Sequence, residues 1–220
     1  MTIAVRDQPN SYAPPLIDPD REVFPDRKRW TVEECYRLVE AGMLGERSEL
    51  IDGEIISKMS QNAPHRIVLL LIANWLATVF GRLCVQEQLP LSIPGALGKY
   101  NEPEPDMAVT REPTTAYLAS HPAPDDLILA VEVADSSLEF DRTTKAKLYA
   151  RTGVREYWIA DVNNRCIHVH RNPEGDGYRE YLRVDLGSSV SIQQRPDAVI
   201  EIAEFFRPLD GTPTGGTTAE

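Results

Sequence analysis

The segment Leu127-Ile-Leu-Ala-Val-Glu-Val-Ala134 constrains this chain more than any other. Its apolar residues fall on both parities, the pattern of a strand covered on both faces. Glu132 sits in the middle. An unpaired carboxylate in such a place costs several kcal/mol, so it must be protonated, paired, coordinating a cation or opening into a cleft. The ordinary alternative, a glutamate on the wet face of an edge strand, fits poorly with apolar neighbours on both sides.

The elements around this strand predict an α+β protein, a mixed β-sheet flanked by helices. Thr31-Val-Glu-Glu34 is a capping-box pattern opening a helix that Gly42 and Gly45 end. Glu49 to Ile56 reads as a hairpin turning at Asp52-Gly53. Pro64 starts a long apolar helix to about Leu83. Leu83 to Ile93 reads as extended with a break at Pro90, Gly95 to Pro105 as a polar loop, and Asp106 to Val109 as a strand. Ser136 or Asp141 caps a helix through Arg151 that ends at Gly153. Strands follow at 155–161, 165–171 and 175–184. Tyr157 and Trp158 are expected to pack along a core-edge strand. His168 and His170 share one strand face and could bind a soft metal; with no third ligand nearby in sequence, a solvent-facing side is expected.

At 220 residues the chain suits one domain with tails. Residues 1–28 read as a flexible arm, 29–206 as the folded body and 207–220 as a disordered tail. Net charge is −11, from 34 acidic against 23 basic residues, which argues against a general nucleic-acid coat. It does not exclude an enzyme whose carboxylates hold cations. The run from Ile67 to Phe80, interrupted by Asn74 and Thr78, reads as too short and polar to span a bilayer, so no membrane association is expected. Three widely spaced cysteines form no disulfide framework and fit a reducing cytoplasm.

Motifs for dinucleotide, P-loop, zincin and serine-hydrolase chemistry are absent from the sequence. Asp106 follows Glu102-Pro-Glu-Pro105, whose prolines fix the backbone just before the carboxylate. Two carboxylates entering neighbouring strands can point at one divalent cation, and Mg²⁺ commonly takes one or two protein carboxylates plus waters and phosphate. Between Arg142 and Arg155 lie five basic residues and no acidic one. Among them Lys145, one helical turn before Tyr149, can lean over the end of the Glu132 strand.

Six blocks in order resemble the Uma-two family, restriction-endonuclease-like proteins of the PD-(D/E)xK nuclease superfamily. They are Glu49-Leu-Ile-Asp-Gly-Glu54, Pro64-His65, Pro103-Glu-Pro-Asp106, Val131-Glu-Val-Ala-Asp-Ser-Ser137, Asp141-x-x-x-Lys145-x-x-x-Tyr149 and Glu156-Tyr-Trp-Ile-Ala-Asp161. The resemblance spans roughly residues 30–206 and implies a restriction-endonuclease-like core with metal-assisted phosphodiester hydrolysis. Asp106 matches the PD aspartate and Glu132 the first acidic position of (D/E)xK. The lysine position holds Ala134, and the resemblance suggests that Lys145 on the next helix takes its place. His65 is similar to a family histidine and can orient water or phosphate; a structural histidine at a helix start is the commoner case. Glu49 is a minor further acidic candidate.

The expected function is a Mg²⁺- or Mn²⁺-dependent DNA endonuclease, with Asp106 and Glu132 as metal ligands, Lys145 positioning or deprotonating water, and a homodimer as a further partner. The alternative is a catalytically silent nuclease fold used as a binding module, which the missing in-strand lysine and acidic charge favour. A hydrolase of smaller phosphodiesters is a weaker third reading.

Overall fold

The computed structural model describes residues 28–45, 47–58 and 61–210. The expected arm lies outside them except for Lys28, as does the expected tail from Gly211 onward. Arg207–Asp210, assigned to that tail, instead form a 3₁₀ turn.

Thr31 caps α1 (Val32–Glu40) with both halves of the capping box in place. Strands β1 (Ser48–Ile51) and β2 (Glu54–Ser57) form the expected hairpin. Asp52 and Gly53 both take left-handed backbone, φ 48° and 83°, as a tight two-residue turn between twisted strands requires. Asn62 caps α2 (Ala63–Phe80), which stops at Gly81, three residues before the expected end. Next come β3 (Val85–Glu87), the one-turn helix α3 (Gly95–Gly98) inside the expected polar loop, and β4 (Met107–Thr110).

Strand β5 (Leu127–Ala134) has the bounds read from its apolar run. It leads into one helical stretch built of α4 (Leu138–Phe140), a π turn at Asp141–Lys145 and α5 (Ala146–Thr152), closed by left-handed Gly153. Then follow β6 (Glu156–Asp161), β7 (Cys166–Glu174), β8 (Gly177–Val184), the hairpin β9 (Ser189–Ile192) and β10 (Arg195–Glu201), and α6 (Ala203–Phe206). The last three lie in a stretch for which the sequence reading named no element.

Six strands form one mixed sheet in the order β3-β4-β5-β6-β7-β8. Among the described residues only the central β5–β6 pair is parallel; the 138–152 helical stretch makes the crossover between them. Apolar residues on both parities of β5 follow from its interior place. Leu129, Val131 and Val133 face α2 and α6, while Ala130 and Ala134 face α5. Trp158 and Tyr157 take opposite sides of β6, a central strand rather than the expected edge, and both are fully buried. By length and mean hydropathy (1.5) α2 is apolar enough to cross a membrane. Its packing accounts for that composition: Val68, Ile72 and Leu76 are wholly buried against the sheet, and Trp75 stacks on Trp158.

His168 and His170 do not face solvent as expected; they are 2% and 9% exposed. Tyr181 and Tyr178 of β8 close over them, with ring centroids 5.1–6.0 Å away. The basic run is also divided. Lys147 pairs with Asp176 at 2.8 Å, whereas Lys145 is buried.

The β9–β10 hairpin is tied to the sheet through Glu156, which is 1% exposed. Its carboxylate accepts from Arg171 Nε (2.8 Å), Trp158 Nε1 (2.8 Å) and the Gln193 amide (2.7 Å). Removing one partner of a buried ion pair leaves an uncompensated charge, so Arg171→Met is expected to cost about 3–5 kcal/mol in urea unfolding. The double variant with Glu156→Gln should recover part of that loss. A cost below about 1 kcal/mol would show that this network does not hold the hairpin.

Candidate active site

The C-terminal end of β5 opens on a cleft of about 300 Å³. Its floor is Glu132, 3% exposed. Glu132 Oε1 accepts from Lys145 Nζ at 2.8 Å and from the Tyr149 hydroxyl at 3.0 Å. Its Oε2 faces the Asp106 amide at 3.4 Å. Lys145 and Tyr149 lie one turn apart on the crossover helix, so one helix face presents both donors to one carboxylate. The π turn that contains Lys145 also buries Asp141 at the cleft wall. Such wide turns recur at functional sites.

Asp106 stands just before β4. The last β4–β5 pair is Met107 with Val131, so the Val133 amide lies beyond the ladder. Asp106 Oδ2 accepts from it at 2.9 Å, which completes the backbone pairing and turns the carboxylate towards Glu132. The two side chains read as partners from sequence thus meet on one side of the sheet and line one cleft.

Glu49 is deeper in the site than a hairpin glutamate is expected to be, 5% exposed. Its Oε1 lies 2.9 Å from Lys145 Nζ, and its Oε2 accepts from the Glu104 amide at 3.1 Å. The β1–β2 hairpin reaches the site because Leu50 bridges to Glu102. His65 sits in the first turn of α2, with Nε2 3.7 Å from Asp106 Oδ2. That nitrogen is buried and has no hydrogen-bond partner among the described residues.

Several site residues were not singled out from sequence. Asp141 accepts from Ser137 Oγ at 2.5 Å; its place four residues before Lys145 was the available signal. Lys58 pairs with Glu104 at 3.0 Å. Asn62 donates to Asp135 at 2.5 Å, which joins the α2 start to the loop after β5. Nothing local in the sequence marks either.

The electrostatics are unbalanced. Among the described residues, five carboxylates line the cleft (Glu49, Asp106, Glu132, Asp135, Asp141) against three cations (Arg47, Lys58, Lys145). Burial, then the neighbouring Glu132 charge, pushes both Asp106 and Asp141 up to about 7. Burial also raises Glu49, against the pull of Lys145. Burial alone would lower Lys145, but Glu132, Glu49 and Asp141 outweigh it and hold the ammonium protonated. Burial lowers His65 and keeps its imidazole neutral. The site is therefore short of positive charge although its lysine is fixed.

The architecture is thus a mixed sheet with flanking helices and an acidic cleft at the C-terminal end of β5. The fold is similar to the crystal structure of a "putative nuclease belonging to DUF820" from Anabaena variabilis, with a TM-score of 0.58 and 17% identity over 77% of this chain and 97% of that one. Residues 32–203 match the Uma2 family, described as "Putative restriction endonuclease", and the chain belongs to that family. No curated protein matches it.

The raised carboxyl groups set a pH dependence. A folded pKa near 7 against an ordinary 3.8 means that the folded protein holds protons which the unfolded chain releases. The resulting stability is complete below about pH 4 and is lost as pH rises through about 7. In metal-free protein, Asp106→Asn should therefore raise stability at pH 8, by on the order of 2 kcal/mol, and change it little at pH 4. Chemical denaturation at both pH values checks this; destabilisation at pH 8 would contradict it.

Proposed function

We propose that the cleft is the catalytic centre of a Mg²⁺- or Mn²⁺-dependent endodeoxyribonuclease. The observation that carries this reading is the convergence of Asp106 and Glu132 from adjacent strands, with Lys145 Nζ 2.8 Å from Glu132.

The residues fit a hard divalent ion. The donors are carboxylate oxygens, the type Mg²⁺ selects. Asp106 uses Oδ2 for Val133, leaving Oδ1 for a cation, and Glu132 Oε2, whose contact with the Asp106 amide is long at 3.4 Å, keeps a lone pair for one. When bound there, Mg²⁺ or Mn²⁺ supplies Lewis-acid polarisation of a phosphate oxygen and a lowered water pKa.

The remaining work falls to the chain's own groups. Hydrolysis forms a P–O bond from water and breaks the P–O bond to one sugar oxygen; the proton lost by water reaches solvent or a local base, and the leaving sugar oxygen takes a proton from water. Lys145 acts through its charge, placed to stabilise negative charge that grows on the phosphate. Because Glu132 and Glu49 keep it protonated, deprotonation of water by Lys145 is the less suited of its two expected roles. Glu49 positions that ammonium. His65 lines the cleft with a neutral imidazole whose Nε2 has no hydrogen-bond partner among the described residues, and it is suited to orient water or accept its proton. Arg47 and Gln61, which line the cleft, offer contacts for a nucleic-acid backbone.

One observation favours the alternative of a silent binding module. Lys145 and Tyr149 already occupy Glu132 Oε1, so the carboxylate is paired without a metal. Cleavage assays separate the two. Full-length protein with supercoiled plasmid, linear duplex and short oligonucleotides should cut only with Mg²⁺ or Mn²⁺ and stop with EDTA. Asp106→Ala, Glu132→Ala and Lys145→Met should each lower the rate about 10²–10³-fold, with circular dichroism confirming the fold. Cleavage that survives EDTA, or either carboxylate change, would remove the metal centre from the mechanism. Metal binding with no cleavage of any substrate would establish the binding module.

A further inference from the structure

A second group of metal-type donors lies outside the cleft, on the same sheet one strand further along. Asp161 ends β6, and Cys166 and His168 open β7; they are 1%, 0% and 2% exposed. The register places Asp161 opposite Cys166, with His168 two residues on and so on the same face. Their ligand atoms all lie within 4.8 Å of one another.

The spacing carries chemical information. His168 Nε2 is 3.5 Å from Asp161 Oδ2 and 3.7 Å from Cys166 Sγ. Zinc bonds of about 2.0–2.1 Å to nitrogen, 2.0–2.2 Å to oxygen and 2.3 Å to sulfur, at tetrahedral angles, place N and O about 3.4 Å apart and N and S about 3.6 Å apart. Both separations from His168 Nε2 thus match those between a tetrahedral ion's ligands, and the third pair, Asp161 and Cys166, lies within 4.8 Å. The outer contacts are of the kind that orient such ligands. His168 Nδ1 lies 2.7 Å from the Tyr181 hydroxyl, and Asp161 accepts from the Asn164 amide (2.9 Å) and side chain (2.7 Å).

We propose that Asp161, Cys166 and His168 form a second metal site, selective for a thiophilic divalent cation of the zinc type, with water or a small ligand in the fourth position. Its nitrogen and sulfur donors separate it from the all-oxygen cleft, which suits Mg²⁺ or Mn²⁺. Metal at Nε2 requires the proton on Nδ1, so Nδ1–H would donate to Tyr181. The site borders the cleft through the following turn: Asn164 holds Asp161, while Asn163 donates to the Asp135 carbonyl at 2.5 Å. An ion here would stiffen the loop whose Asp135 lines the cleft.

The test is titration of the full-length, metal-free protein with Co²⁺ alone, read by absorption, followed by displacement with Zn²⁺. One equivalent of Co²⁺ should give a thiolate-to-cobalt charge-transfer band and intense tetrahedral d–d bands, both abolished by Zn²⁺. Cys166→Ser and His168→Gln should lose the charge-transfer band or weaken binding at least tenfold, and Cys35→Ser and Cys84→Ser should keep it. Glu132→Gln should also keep it, which makes the outcome independent of the nuclease reading. Tyr181→Phe, the mildest change, should weaken Co²⁺ binding roughly tenfold while leaving the three ligands in place, and it serves if a ligand variant fails to fold. Absence of a thiolate–cobalt band in folded wild-type protein, its persistence in Cys166→Ser, or unchanged affinity in Tyr181→Phe would overturn the proposal.

Discussion

The ammonium of Lys145, 2.8 Å from Glu132 and 2.9 Å from Glu49, allows a charged residue to stand inside an otherwise apolar strand. Glu132 lies where the sheet is covered on both sides, and a lone carboxylate there would not persist. One cation drawn from the crossover helix offsets two carboxylates that come from β5 and from the distant β1–β2 hairpin. That shared contact draws three elements into one cleft wall. Asp106 completes the site by serving the backbone: it accepts the Val133 amide where β4 falls short of β5.

The pairing is incomplete in a directed way. One ammonium serves Glu132 and Glu49, while Asp106 and Asp141 are held near 7 by burial and by the same Glu132 charge. A site arranged for stability alone would replace these acids with apolar or amide side chains. Retained repulsion of this kind is typical of sites where function is kept at some cost in stability. The rest of the fold compensates, with Trp75, Trp158 and Phe205 packing the opposite face of the sheet and Glu156 tying down the C-terminal hairpin.

Much of this was legible from local sequence. Glu132 stood out because a both-parity apolar run rarely tolerates an acid, and β5 has the bounds that the run predicted. The capping box at Thr31 and the Asp52-Gly53 turn are local signals, and both elements formed. Lys145 needed the family resemblance as well as the basic run, since no short-range pattern tells which of five cations turns inward. The depth of Glu49 was hidden because it depends on the non-local Leu50–Glu102 bridge. His168 and His170 were misread for a physical reason: alternating polar residues look like a wet strand face unless another strand supplies Tyr181 and Tyr178 to cover them. The β9–β10 hairpin, with Pro196 inside β10, is short, and its attachment combines Val190 and Ile192 in the core with contacts from Glu156 and Arg171 elsewhere in the chain.

The account turns on whether the two acidic side chains at the cleft floor share a divalent ion beside a protonated lysine. Crystals grown with Mn²⁺ and recorded at a wavelength where manganese scatters anomalously test this most directly. The account predicts an anomalous peak in contact with the Asp106 and Glu132 carboxylates, with Lys145 still beside Glu132. A fully loaded crystal whose manganese lies elsewhere, with the Asp106–Glu132 space holding only water, would contradict it.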